Sequence, residues 1–155
     1  GQLAFGTHIK GITKTLEKWK NIYKNADEYI YEILSEIPGD LFDPLTKKVK
    51  AGVKSRYIVS EFASVPQGRK AELKKSGFNK LIEKGLIERK MRKYVKVIIV
   101  LNEKEACVCF PNLNGEADLT EMFYGDDYQF HEWCIDYFRD CWSDADLFIE
   151  SKLKE

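Results

Sequence analysis

Between residues 94 and 110 the chain carries its densest apolar run. Val95, Val97, Ile98, Ile99, Val100 and Leu101 come first; Asn102, Glu103, Lys104 and Glu105 interrupt. Ala106, Cys107, Val108, Cys109 and Phe110 resume the run, and Pro111 ends it. Two β-branched or small apolar runs with a short polar break read as adjacent strands. Both parities of 97–101 are apolar, so this strand is expected to be covered on both faces, as a central strand of an α/β sheet is. In the second strand Cys107 and Cys109 share one face, with Ala106, Val108 and Phe110 on the other. The sheet is the core, and the rest of the chain is expected to cover it.

The 155 residues suffice for one domain with a sizeable core. Twenty-five lysines and arginines balance twenty-five aspartates and glutamates. No net charge therefore steers the chain to a nucleic-acid backbone or an anionic membrane. No apolar run approaches the length of a membrane span, and the first residues lack a signal-peptide pattern. Gly1 in place of Met reads as a trimmed tag or a piece of a longer protein. The four cysteines sit among core-type neighbours, which fits a reducing, cytoplasmic setting.

Residues 3–25 read as one helix: Phe5, Ile9, Ile12, Leu16, Trp19 and Tyr23 recur at heptad spacing. Ile9, Ile12, Leu16, Trp19 and Tyr23 are the candidate seam of a homodimer; the competing reading lays the same stripe on the chain's own sheet. Residues 1–25 are thus a linker or dimerisation helix, and 26–155 the α/β domain. A strand is expected at about 28–35. Asp43 is expected to cap a helix that has Pro44 in its first turn and Gly52 past its end. A strand over 53–62 follows, and the strand–helix–strand order predicts a parallel pair. A second helix is expected over 70–84 with Gly77 as its weak point, then a strand at 86–91. An edge strand at 119–124 precedes a helix from Tyr128 to Phe148, capped by 125–127, rich in aromatics and broken near Ser143 and Asp144. The predicted class is α/β, with a mixed, largely parallel central sheet flanked by helices.

Motifs for chemistry are sparse. Cys107 with Cys109, and Cys134 with Cys141, place thiols in pairs, and His131 is near the second pair in sequence. No Cys-x-x-Cys knuckle accompanies them, so they read as core residues, with no metal or cofactor expected. The basic cluster Arg89, Lys90, Arg92 and Lys93 reads as a solvated edge, with direct nucleic-acid binding as the lesser alternative.

Several stretches together carry a resemblance. They are residues 29–35, the 51–53 Ala-Gly-Val, the strand of 54–59, the strands of 97–101 and 106–111, the 114–118 Asn-Gly-Glu-Ala-Asp, and the aromatic ending from Trp133 to Phe148. Over 26–148 the chain resembles the effector domain of archaeal winged-helix transcriptional regulators, the methanogenesis-regulatory (FilR-type) domain. In that family a DNA-binding winged helix precedes the domain, which implies that residues 3–25 are the truncated linker or dimer helix. The layout also resembles a phospholipase-D-like half, as in TrmB-type sugar-sensing regulators. The enzymes of that family need His-x-Lys and an Asp beyond it. The matching positions here are Tyr94, Lys96 and Leu101, so the lysine is present and the other two are not. His8 and Lys10 repeat the first two letters by chance, with Thr15 where the Asp belongs.

These readings converge on a ligand-sensing, dimerising regulatory domain without catalysis of its own, contacting DNA only through a winged helix outside this chain. A degenerate phosphodiesterase is the alternative. Open α/β sheets bind ligands at the carboxyl ends of parallel strands. Ser60 and Glu61 end a strand there, Lys96 matches the phosphate-holding lysine of the resembling fold, and Arg56, Arg89 and Tyr94 are placed to reach the same region. The expected effector is a small anion.

Overall fold

The apolar run folds as the expected hairpin at the centre of an eight-stranded sheet in a computed structural model that describes residues 6–114 and 118–154. The strands are β1 (Thr7–Lys10), β2 (Tyr29–Glu36), β3 (Lys54–Ser64), β4 (Ile87–Arg92), β5 (Ile98–Asn102), β6 (Ala106–Cys109), β7 (Glu121–Gly125) and β8 (Asp146–Leu147). Their spatial order is β1-β7-β6-β5-β2-β3-β4-β8. All residues of β5 and β6 are buried, as two-faced apolarity requires. The helices are α1 (Ile12–Asn25), α2 (Phe42–Lys50), α3 (Arg69–Lys75), α4 (Phe78–Glu83) and α5 (Tyr128–Asp144). Side chains of α1 to α4 pack with one face of the sheet and those of α5 with the other, so the domain has three layers.

The sheet is mixed, but not largely parallel. β2, β3 and β4 run parallel to their neighbours in that trio, while the five other pairings are antiparallel. The reason lies in the connections. The three residues 103–105 turn β5 into β6 and permit only a hairpin, whereas each parallel step here is spanned by helices.

The N-terminal stretch departs most from expectation. Its first five residues lie outside those described; 7–10 form an edge strand paired with β7, and α1 starts only at Ile12. Gly11 divides them at φ 99°, a conformation that a helix interior excludes, and its N–H donates to Thr120 O at 2.7 Å. The inward face of α1 is Thr15, Trp19, Ile22 and Tyr23, rotated from the heptad stripe towards the chain's own sheet. Gly77, at φ 82°, splits the expected 70–84 helix into α3 and α4. A 3-10 turn at Gly39–Leu41 precedes α2, so Leu41 holds the cap position and Asp43 lies in the first turn. The 119–124 strand is interior, because β1 lies outside it. Asp127 caps α5 as expected, accepting from Phe130 N at 3.0 Å.

A carboxylate from the β5–β6 turn fastens the start of β2. Glu103 accepts the N–H groups of Asp27, Glu28 and Tyr29 at 2.9–3.2 Å. Burial raises its pKa, but these backbone donors outweigh that and hold it below the ordinary value. Hydrogen bonds to a charged group contribute about 1.5–3 kcal/mol. Glu103→Ala is therefore expected to lower unfolding stability by about 2 kcal/mol, read from the urea midpoint.

Candidate functional site

Alternation along β4 decides what its basic cluster does. Successive side chains leave opposite faces of a strand. Lys90 and Arg92 emerge towards α5: Lys90 Nζ donates to Trp142 O at 2.8 Å, and Arg92 Nη1 to Cys141 Sγ at 3.1 Å. Arg89 emerges on the opposite face, 3.6 Å from Glu150 and 3.8 Å from the ring centre of Phe148. The cluster is thus divided between two faces and forms no single basic strip.

Past Arg92 the chain leaves β4 and runs to β5 across the carboxyl ends of β2 and β3. Between this 92–97 crossing and α5 lies a cleft of about 370 Å³, lined by Ile33, residues 92–97, Tyr137 and Cys141. Three cations, Arg92, Lys93 and Lys96, contribute to the lining, and none of its residues is a carboxylate. Ser60 steadies the crossing, its Oγ donating to Lys93 O and accepting from Phe62 N, both at 3.1 Å. Tyr94 is 62% exposed at the rim, its ring stacked on the equally bare Phe62 at 5.5 Å. A guanidinium beside two ammonium groups, open to water on one side, is chemistry suited to phosphate or carboxylate oxygens.

Of the six expected ligand residues, the cleft brings together Tyr94 and Lys96. Ser60 acts behind them, on the crossing. Glu61 pairs with Lys152 at 2.7 Å in a neighbouring groove. Arg56 lies under α5, 3.4 Å from Glu88 and stacked near Tyr31 and Trp142. Arg89 is on the far face. Sequence reading passed over Arg92, Tyr137 and Cys141. The signal for Arg92 was its parity: Met91 is a core residue, so its neighbour had to face the other way. Tyr137 and Cys141, four apart on one helix, share a face.

The seam residues fare differently from a free surface stripe. Trp19 and Tyr23 are 1% and 2% exposed within this chain. Ile9 and Leu16 are half-buried against the same core, and Ile12 alone of the five is exposed, at 52%.

All four cysteines are free and buried. Burial pushes the thiols of Cys109 and Cys134 up to about 12 and that of Cys107 well above its usual range. Burial also raises Cys141, against the pull of Arg92. Thiolate is the reactive form, so native protein is expected to react with far less than one equivalent of a thiol reagent within minutes. All four thiols should react in denaturant. Among the described residues no group of three or more His, Cys, Asp or Glu side chains is placed to hold a metal ion, and no helix is long and apolar enough to cross a membrane.

At the positions matching His-x-Lys and its Asp, the structure has the rim residue Tyr94, the cleft residue Lys96 and the fully buried Leu101. Neither histidine lines the cleft: His8 stacks on Phe123 at the β1 edge, and His131 Nε2 lies 2.7 Å from Asn102 O.

No protein-family profile matches the sequence, and no curated protein matches it as a relative. Solved structures do. TrmBL2, described as an archaeal chromatin protein with a novel mode of DNA binding, superposes with a TM-score of 0.72 at 16% identity, over 95% of this chain and 56% of its own. This chain therefore spans little more than half the length of TrmBL2. NucT from Helicobacter pylori gives a TM-score of 0.67 at 12% identity, covering 92% of this chain and 98% of NucT. Nuc from Salmonella typhimurium, a phospholipase D family member, gives 0.64 at 12% identity, covering 92% and 97%. A phosphatidylserine synthase from Haemophilus influenzae gives 0.63 at 10% identity, over 96% of this chain and 40% of its own. These neighbours overturn the expectation of a domain without catalysis, since phospholipase D family enzymes are built on this fold. The chain shares its fold with NucT and Nuc over almost their whole lengths and with 56% of TrmBL2.

Proposed function

We propose that this chain is the ligand-binding, regulatory module of a cytoplasmic transcription regulator of the archaeal winged-helix kind, and that it takes a small phosphate- or carboxylate-bearing molecule in the cleft at residues 92–97. The observation that carries the reading is the cleft's lining of three cations and no carboxylate, at the carboxyl ends of the parallel strands. The likeness over nearly the whole chain to TrmBL2, a chromatin protein described as binding DNA, supports the link to DNA in this reading. Ligand binding would favour one arrangement of a homodimer, and a winged helix outside this chain would carry that arrangement to DNA. The dimer seam in this reading cannot be the whole heptad stripe, because Trp19 and Tyr23 are buried in the chain's own core. Light scattering measures the dimer directly, and a monomer at high micromolar concentration removes that part of the proposal.

The test of the cleft is a thermal-shift screen of phosphate monoesters, phosphodiesters and carboxylates against neutral analogues. A ligand at a hundred times its Kd adds about 2.7 kcal/mol. Lys96→Ala and Arg92→Ala are expected to abolish the shift, and Lys96, being exposed, is expected to change basal stability by no more than about 0.5 kcal/mol. Neutral hits that survive both substitutions would sink the assignment.

A second reading has its own support: Nuc and NucT match this chain over almost their full length. Under that reading the cleft performs phosphodiester chemistry. Steady release of nitrophenol from bis(p-nitrophenyl) phosphate, lost in Lys96→Ala, would favour it over the regulatory one.

A further inference from the structure

On the sheet face away from the cleft, a carboxyl group is enclosed where the fold needs none. Glu32 sits mid-way along β2 at 1% exposure. Its Oε2 accepts from Tyr23 Oη at 2.5 Å and from Trp19 Nε1 at 3.1 Å. Its Oε1 is buried and has no partner. Glu32 faces a cavity of about 30 Å³ between β2, α1 and α2, whose aromatic wall is Trp19, Tyr23, Phe42, Tyr57 and Phe78. No lysine or arginine lines it.

A buried carboxylate with no counter-charge is strongly unfavourable, so such a group either holds a proton or is paired with a cation; Glu32 keeps its proton up to about pH 7, and above that the carboxylate calls for a cation. A buried water takes about three hydrogen bonds, and among the side-chain atoms of this mostly aromatic and aliphatic wall Glu32 Oε1 alone is buried without a partner. A cation is the better occupant. Ring faces attract positive charge, most strongly where water is excluded, and the carboxylate supplies the opposite charge and a hydrogen-bond acceptor. The volume sets the size: it admits an ammonium group and about one carbon, and a quaternary ammonium is too large.

We propose that the Glu32 cavity is a binding site for a small primary ammonium, with Oε1 accepting its N–H and the Trp19, Tyr23 and Phe78 rings enclosing it. It is separate from the anion cleft and does not depend on the function proposed for it.

The probe is methylammonium chloride, titrated into the purified chain at pH 8 against tetramethylammonium chloride and sodium chloride at equal ionic strength. Methylammonium alone is expected to give a saturable rise in Tm, and 13C-methylammonium is expected to show NOEs to the Trp19 indole. Glu32→Gln, which keeps an acceptor for Tyr23 and Trp19 but removes the charge, is expected to weaken the apparent affinity at least tenfold. Leu45→Phe, which narrows the cavity from its α2 wall, is expected to do the same with the carboxylate intact. Equal responses to the three salts, or undiminished binding in Glu32→Gln, overturn the proposal. Should either variant fail to fold, the NOEs decide on the wild-type chain, and their absence at saturating probe overturns it equally.

Discussion

Trp19→Ala is expected to lower unfolding stability by about 3–5 kcal/mol, the range for deleting a buried aromatic side chain. Two features place it at the upper end. The indole is 1% exposed at the junction of α1 with the sheet, so the void cannot drain to solvent. Its Nε1 also donates to Glu32, and losing that bond leaves a buried carboxylate less satisfied. Whole-domain stabilities are about 5–15 kcal/mol, so the urea midpoint should fall by a large fraction. Light scattering run alongside distinguishes this from the seam reading. Loss of stability with unchanged mass marks an internal role; a folded protein of half the mass marks an interface.

The second large effect concerns pH. Burial pushes Glu32 from 4.5 up to about 7, outweighing the lowering pull of its hydrogen bonds from Tyr23 and Trp19. The folded protein thus holds this proton more tightly than the unfolded chain does. Its contribution is complete below about pH 4.5 and is lost as pH rises through about 7. Each tenfold difference in proton affinity between the folded and unfolded chain corresponds to about 1.4 kcal/mol, so the loss across that window is about 3 kcal/mol. The titratable groups facing Glu32 are Tyr23 from α1, Tyr57 from β3 and Cys107 from β6. All three are raised above their ordinary values, chiefly by burial, and stay neutral throughout. Glu32→Gln should therefore flatten the stability–pH curve between pH 5 and 8, relative to wild type. Parallel curves for the two proteins would refute the assignment.

Those two residues also mark where sequence reading succeeds and where it stops. The central hairpin is legible because both parities of 97–101 are apolar, and only a strand buried on both faces needs that. Glu32 lies between Tyr31 and Ile33 in a strand of the same kind, so a charge in a two-faced apolar setting is itself a visible signal of something enclosed. The N-terminal helix misleads because Ile9 and Ile12 fit a heptad by spacing alone, although Gly6 and Gly11 already weaken it. Only the pairing of β1 with β7, more than a hundred residues apart, settles that segment as strand. The antiparallel β2–β5 pairing is likewise non-local and has no local signature. For the cleft, Lys96 and Tyr94 are found through their place in a motif. Arg56 and Arg89 enter on their charge, which says nothing about the side of the sheet they face.

The position of β1 and β8 at opposite margins of the sheet has a mechanical consequence. Seven inter-strand steps of about 4.8 Å separate them, on the order of 34 Å. Tension applied between partners fused near the two termini would pull across the strands rather than along them. Ladder hydrogen bonds would then break one pair at a time, as a zipper opens, instead of sharing the load in shear. The two-residue β8 offers the shortest ladder, with only Lys90 and Met91 paired to it, so it is the margin expected to open first. In single-molecule stretching this domain should yield at low force, and a handle moved from the C-terminus to the β5–β6 turn should raise the force markedly.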